Sequence, residues 1–229
     1  MVKSKNRKNR IHGLVIEGVW NNEPKAIMKE VHKFFANKFH ERWPNRPKLV
    51  NPLFRKLSTA QSETLHSSFT IEEIKQAVWN CGGDKAPGPD GYTFKILKSK
   101  WNLIKDDIYR AVKYFEMHSR FAEGCNSSFI TLIPKTKDPL HLGEYRPINL
   151  IGCIYKVIAK ILASRLKLVV GHVVDEVQSA YIKDMNILDG PLIMNEVYSW
   201  AKHSKEQIFI FKVDFEKAFD SVNWGFLDS

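Results

Sequence analysis

The sequence predicts an α+β fold, rich in helix with a few strands. Three observations carry that reading. Ile154, Val157, Ile158, Ile161, Leu162, Leu166 and Val169 fall on one helical stripe across Ile154–Val170, with Lys156, Lys160 and Lys167 flanking it. Ile27, Val31, Phe34, Phe35 and Phe39 repeat the pattern near the N-terminus. Two short apolar runs, Ser127–Ile133 and Ile208–Val213, have the length and the residue types of strands.

Charge is unevenly spread. Residues 1–50 carry 12 Lys/Arg against 4 Asp/Glu, so that fifth of the chain holds +8 of the total +10. A concentrated positive field suits a polyanion, most often nucleic acid, or it marks a solvated arm. Three scattered cysteines, Cys81, Cys125 and Cys153, lack metal-ligand or redox spacing. They predict reduced thiols without a disulfide partner in an intracellular protein of the nucleus or the cytoplasm. No run is long and apolar enough for a membrane span, so no membrane partner is expected.

In chain order, Ile11–Trp20 reads as a small hairpin with turn-prone Gly13 and Gly18. Pro24 opens the first helix, whose outer surface carries Lys25, Lys29, Lys33 and Lys38. Residues 43–69 hold three prolines and little periodicity, which predicts an extended linker. Thr70 and Glu73 form a capping box for a short helix bearing Ile71, Ile74 and Val78. Lys85–Gly91, KAPGPDG, is a rigid turn, with Asp90 placed to cap a helix from Tyr92 to about Lys100. A further helix, roughly Leu103–His118, carries Asp106 and Asp107 in its first turn, where acids suit the helix dipole. Adjacent helical positions diverge by about 100°, so these two acids do not readily share a metal ion.

Ser127–Ile133 ends at Pro134, and Tyr145–Leu150 reads as its return strand, with Pro147 arguing for an edge. Lys135 and Arg146 then project from neighbouring strands. Two such cations either hold an anion between them or face water. Asp189 and Pro191 start a helix that runs to about Lys202. Ile208–Val213 delivers Asp214 to a strand tip, a rigid place for a metal-ligating carboxylate.

Five segments in this order, DKAPGPDG, FITLIPK, YRPINLI, QSAYI and KVDFEKAFDSVNW, closely resemble plant LINE-type non-LTR retrotransposon reverse transcriptases. The resemblance covers about residues 70–229. It implies an incomplete right-hand polymerase: a basic extension (1–42), a linker (43–69) and a partial reverse transcriptase domain (70–229) of fingers and the start of the palm. It implies RNA-directed DNA polymerase chemistry, with RNA template, DNA primer and deoxynucleoside triphosphates as partners. Asp214 matches the first catalytic aspartate, a ligand of two Mg²⁺ ions, and the Phe215 carbonyl joins the nucleotide-bound ion. Phe219 matches the aromatic gate against a 2′-hydroxyl, Arg146 the arginine that grips the triphosphate, and Lys135 its partner. Asp220 matches an acidic position for which a local cap or hydrogen bond is expected.

The sequence departs from that family in three places. Lys183, Asp184 and Met185 stand near the usual Gly-Arg pair, which weakens contact with template phosphate. Pro191 replaces an aliphatic residue of a helix and is expected to shorten or kink it. No aromatic-Ala-Asp-Asp or Tyr-x-Asp-Asp element occurs in the 229 residues. The expectation is therefore a polymerase truncated before its second carboxylate motif and inactive alone. The alternative is a non-enzymatic nucleic-acid-binding remnant or a functionless transposon-derived fragment.

Overall fold

The computed structural model describes residues 11–40, 55–182, 185–215, 222, 223 and 225. The chain divides into two units, Met1–Asn45 with Phe69–Ala159, and Arg46–Ser68 with Lys160–Ser229. Helices dominate the described residues, and two antiparallel two-stranded sheets complete them.

The first unit opens with the hairpin β1 (Leu14–Ile16) and β2 (Val19–Asn21), in which Leu14 faces Asn21 and Ile16 faces Val19. Its turn is Glu17-Gly18, both at positive φ (52° and 82°), the geometry a two-residue hairpin favours. Gly13 has a different reason: a Cβ there would lie 2.3 Å from the Trp20 ring. Helix α1 (Pro24–Phe39) follows, with proline in its first turn. Leu14 and Ile27 bury against Leu142 and Tyr145, joined by partly buried Ile11, Ile16, Val31, Phe34 and Leu132. Side chains between Ile11 and Phe34 thus share a core with Leu132, Leu142 and Tyr145.

Helix α3 (Ile71–Asn80) has the expected capping box, with Glu73 N–H donating to Thr70 Oγ1 (3.2 Å) and Thr70 N–H to Glu73 Oε2 (3.2 Å). Its buried Ile74, Ala77 and Val78 belong to the same unit as Phe94 and Leu97 of α4 (Phe94–Ser99) and Trp101, Ile108 and Val112 of α5 (Trp101–His118). Lys98 Nζ closes the end of α3 by donating to Trp79 O (2.9 Å) and Cys81 O (2.7 Å). Because α5 begins at Trp101, two residues before the expected start, Asp106 and Asp107 lie beyond its first turn. The helix-dipole argument therefore does not apply to them, and Asp107 instead pairs with Arg110. The strands β3 (Ser128–Pro134) and β4 (Tyr145–Ile151) form the second sheet, and helix α6 (Cys153–Val173) follows.

In the second unit, residues 59–66 depart from the extended linker expected of them. They form helix α2 (Thr59–His66) with a Ser58/Gln61 capping box. Its far end is closed by Arg165 of α6, whose guanidinium donates to Leu65 O (3.1 Å), Ser68 O (3.1 Å) and Ser67 O. Arg165 is only 5% exposed. It occupies the buried stripe between Ile161 and Val169, whereas Leu162 and Leu166, expected on that stripe, are exposed. Helix α7 (Asp189–Ser204) starts two residues before Pro191. Proline there sits among the first N–H groups, which lack intrahelical acceptors, so the expected shortening or kink is absent.

Residues 206–215 are not a strand. The expected strand Ile208–Val213 has apolar side chains but no ladder partner among the described residues, and a strand exists only as part of a ladder. Phe209 and Phe211 are 88% and 77% exposed. No helix among the described residues is long and apolar enough to cross a membrane.

Arg165→Ala is predicted to cost at least about 2 kcal/mol, because it strips charged donors from helix-terminal carbonyls and opens a cavity. Urea unfolding of the variant, with amide exchange of residues 59–66, measures the effect. Unchanged protection of α2 would rule out the role given to Arg165.

Candidate nucleotide site

The β3–β4 hairpin carries the cations singled out in the sequence. Its register pairs Ile133 with Arg146 and Pro134 with Tyr145. The ladder extends one step past the strands, where Lys135 N–H donates to Glu144 O (2.8 Å). In this register Ile133, Lys135, Glu144 and Arg146 alternate onto one face. Lys135 and Arg146 are diagonal neighbours there, a relation that spans about 7–8 Å. Both are exposed.

The two cations differ in how they are held. Lys135 Nζ donates to Gly143 O (2.9 Å), which folds its side chain back onto the hairpin loop. The Arg146 side chain makes no hydrogen bond or ion pair among the described residues, so its guanidinium is available to bind an anion. The neighbouring acid does not neutralise either one. Glu144 Oε2 accepts from Leu140 N–H (2.7 Å) and His141 N–H (3.0 Å), and these backbone donors hold its carboxyl below the usual range. Tyr145 is buried, which pushes its phenol up, with the Glu144 charge adding to the effect. Glu144 is a structural residue that the sequence reading missed. Its signal is a carboxylate three residues after His141, closing a 3₁₀ turn, Leu142–Glu144, just before β4.

The other end of β4 is anchored by the KAPGPDG turn. Asp90 does not cap the helix that follows it. Helix α4 starts later, at Phe94, with Thr93 before it and no side-chain cap. Asp90 Oδ1 accepts from Tyr92 N–H (3.2 Å), and its other oxygen accepts from Cys153 N–H, 63 residues away. Asp90 therefore caps α6. The residue before α6 is Gly152, which has no side chain to do this locally. A Cβ on Gly88 would lie 2.3 Å from the Ile151 carbonyl carbon, so glycine is required for the turn to seat against the end of β4. Cys153 donates its thiol to Tyr92 O (3.3 Å), and burial pushes that thiol up to about 12. Such a thiol is not a nucleophile at neutral pH. All three cysteines are free.

The remaining site residues belong to the second unit. Asp214 and Phe215 are exposed in the extended stretch, and Asp214 has no partner among the described residues. Phe219 and Asp220 lie outside the described residues, as do Lys183 and Asp184. No three His, Cys, Asp or Glu side chains cluster as a metal site among the described residues. Asp214 alone does not fix an octahedral ion, so the described residues do not by themselves make the expected Mg²⁺ centre.

Residues 133–229 match the family model of reverse transcriptase (RNA-dependent DNA polymerase). This stretch is reverse transcriptase sequence. The matched stretch begins within β3, at the residue that faces Arg146. The chain is 27% identical over 229 residues to the transposon TX1 uncharacterized 149 kDa protein of Xenopus laevis, covering 98% of this chain and 17% of that protein. It is 30% identical over 162 residues to a Pol polyprotein from the type-1 retrotransposable element R2 of Bradysia coprophila, covering 70% of this chain and 18% of that protein. It is 24% identical over 168 residues to the Pol polyprotein of element R1 from the same organism, covering 72% and 16%. The chain thus carries a reverse transcriptase domain with homologues in non-LTR retrotransposons, and it spans less than a fifth of these relatives' length. Reverse transcriptases generally use a divalent metal, a nucleic-acid template and deoxynucleotide substrates.

Asp90→Ala is predicted to cost about 1 kcal/mol through loss of the α6 cap, and Asp90→Asn less. Gly88→Ala is predicted to cost about 1–3 kcal/mol by forcing the turn off β4. Chemical denaturation of the three variants tests both values. A second prediction concerns acid. The folded-state pKa of Glu144 is lowered, so its contribution is present above the unfolded value and is lost as pH falls through the folded one. Amide exchange at Leu140 and His141, corrected for its intrinsic pH dependence, should lose protection below about pH 4.5. In Glu144→Gln the protection should no longer depend on acid. Equal acid sensitivity in both proteins would exclude Glu144 as the cause.

Proposed function

We propose that this chain supplies the fingers and the start of the palm of an RNA-directed DNA polymerase of a LINE-type, plant-like non-LTR retrotransposon. One observation carries the reading: the reverse transcriptase match begins in the hairpin that presents Arg146, whose side chain has no partner among the described residues. On this reading Arg146 binds the triphosphate of an incoming deoxynucleotide, bidentately as guanidinium does. Lys135 assists from the same face. Asp214 is the first catalytic carboxylate, Phe215 contributes its backbone beside it, and Phe219 excludes a 2′-hydroxyl. Mg²⁺ would supply charge neutralisation at the phosphates. Its remaining ligands must come from beyond the described residues. RNA template and DNA primer are the polymeric partners.

Polymer synthesis needs a second acidic element, and the 229 residues contain none of the expected form. The purified chain is therefore expected not to extend a DNA primer on an RNA template with Mg²⁺. Nucleotide binding does not need that element. A fluorescent deoxynucleoside triphosphate should bind the chain, and Arg146→Ala should weaken it by about tenfold or more, since truncation removes a charged two-point contact. Arg146→Lys should restore part of the loss. Equal affinity in all three proteins would remove the proposed role of Arg146. Primer extension by the unmodified chain, abolished in Asp214→Ala, would overturn the inactivity but keep the site.

The charge of the N-terminal fifth favours a second reading, nucleic-acid binding without catalysis. Its signature is salt-sensitive RNA binding that survives Asp214→Ala. A flat titration at low salt would remove it.

A further inference from the structure

Helix α1 and strand β3 enclose an open groove of about 650 Å³, within the range of ligand and peptide sites. Ile27, Met28, Val31 and Phe39 line one wall, and Ile130 and Leu132 the other. Part of this lining faces solvent: Met28 is 72% exposed, Phe39 55% and Ile130 44%. Lys25, Lys29 and Lys33 run at four-residue spacing along α1, in the row beside Met28, His32 and Ala36. The three lysines are exposed and make no ion pair among the described residues. Among the described residues nothing covers this largely apolar channel, and a basic row runs beside it.

We infer that this groove docks an amphipathic helix from a protein partner, with its apolar stripe in the channel and Asp or Glu along the edge that meets Lys25, Lys29 and Lys33. Two features favour a helix over single-stranded nucleic acid. The lining is chiefly aliphatic and thioether, which packs against Leu or Phe side chains and offers nucleobases few hydrogen-bonding groups. Of the two exposed rings that line the groove, His32 and Phe39, Phe39 already carries Lys38 Nζ at 5.4 Å from its centroid, so that cation competes with a base for its aromatic face. The lysine rail selects the sign of the partner's flank. A helix with a basic flank would meet like charge along its length. This docking is separate from the nucleotide reading of Arg146 and stands whether or not that reading holds.

The test uses the whole chain and a fluorescein-labelled three-heptad peptide with a leucine stripe and one glutamate-rich flank, followed by anisotropy at low salt. Saturable binding is expected. Met28→Asp, with the lysines intact, should weaken it by about tenfold or more, as loss of a central apolar anchor does. Ile130→Asp should act in the same direction from the opposite wall. Replacing Lys25, Lys29 and Lys33 by Glu should weaken binding by at least as much and reverse its dependence on salt, because screening then relieves repulsion. Circular dichroism checks that the variants remain folded, and Met28, the most exposed of the lining positions, keeps the test informative if Ile130→Asp does not. Absence of peptide binding, or equal binding by a peptide with its apolar face scrambled, overturns the proposal. So does displacement by oligouridylate combined with full binding by Met28→Asp, which would assign the surface to RNA.

Discussion

The joint between β4 and α6 is the constraint on which the first unit depends. Three chemical facts meet there. Gly88 lies against the Ile151 carbonyl where no Cβ fits, Gly152 leaves α6 without a cap of its own, and Asp90 supplies that cap from 63 residues away. A helix start demands acceptors for its free N–H groups, and a carboxylate there also meets the positive end of the helix dipole. The KAPGPDG turn is rigid because its task is to hold one carboxylate at a fixed place. The same contact ties the start of α4 to the end of the hairpin, since Asp90 also accepts from Tyr92.

At the opposite end of the hairpin, polar groups are satisfied in a way that leaves selected charges free. Glu144 is used by backbone amides, and Lys135 is folded onto Gly143, while the Arg146 side chain has no partner among the described residues. An unpaired guanidinium beside an engaged carboxylate retains its full attraction for an outside anion. Tyr145 beside it is buried in the core shared with Leu14 and Ile27, so the cation is presented from a packed element. Positioning a charged group next to a buried residue of its strand is a sound basis for phosphate binding, because the backbone bearing it does not have to be ordered on contact.

Arg165 makes the corresponding point in the second unit. A guanidinium has five donors and tolerates burial only when they are met. Carbonyls at and just beyond the end of α2 meet three of these contacts, which add to the local closure that Ser67 gives by donating its hydroxyl to Thr64 O (2.9 Å). Each group resolves the other's deficit. In the extended stretch at 206–215 no such complement exists among the described residues, and apolar Phe209 and Phe211 face solvent.

Local chemistry determined much of this protein. The Thr70/Glu73 box, the proline starts of α1 and α7, and the strand pair around FITLI and YRPINL are written in residues close together in sequence, where short-range sterics and hydrogen bonds act alone. The reverse transcriptase likeness was legible for the same reason, since it resides in short ordered segments. What required the tertiary structure were relations between distant residues. Asp90 looked like a local cap because sequence spacing cannot show an N–H that arrives from position 153. Arg165 broke the apolar stripe of α6 because its solvation comes from carbonyls at 65–68. Ile208–Val213 had strand composition, yet ladder hydrogen bonds need a second strand, and composition cannot supply one. Propensity is a property of a segment; caps, buried cations and ladders are properties of pairs, and only the folded chain decides which pairs meet.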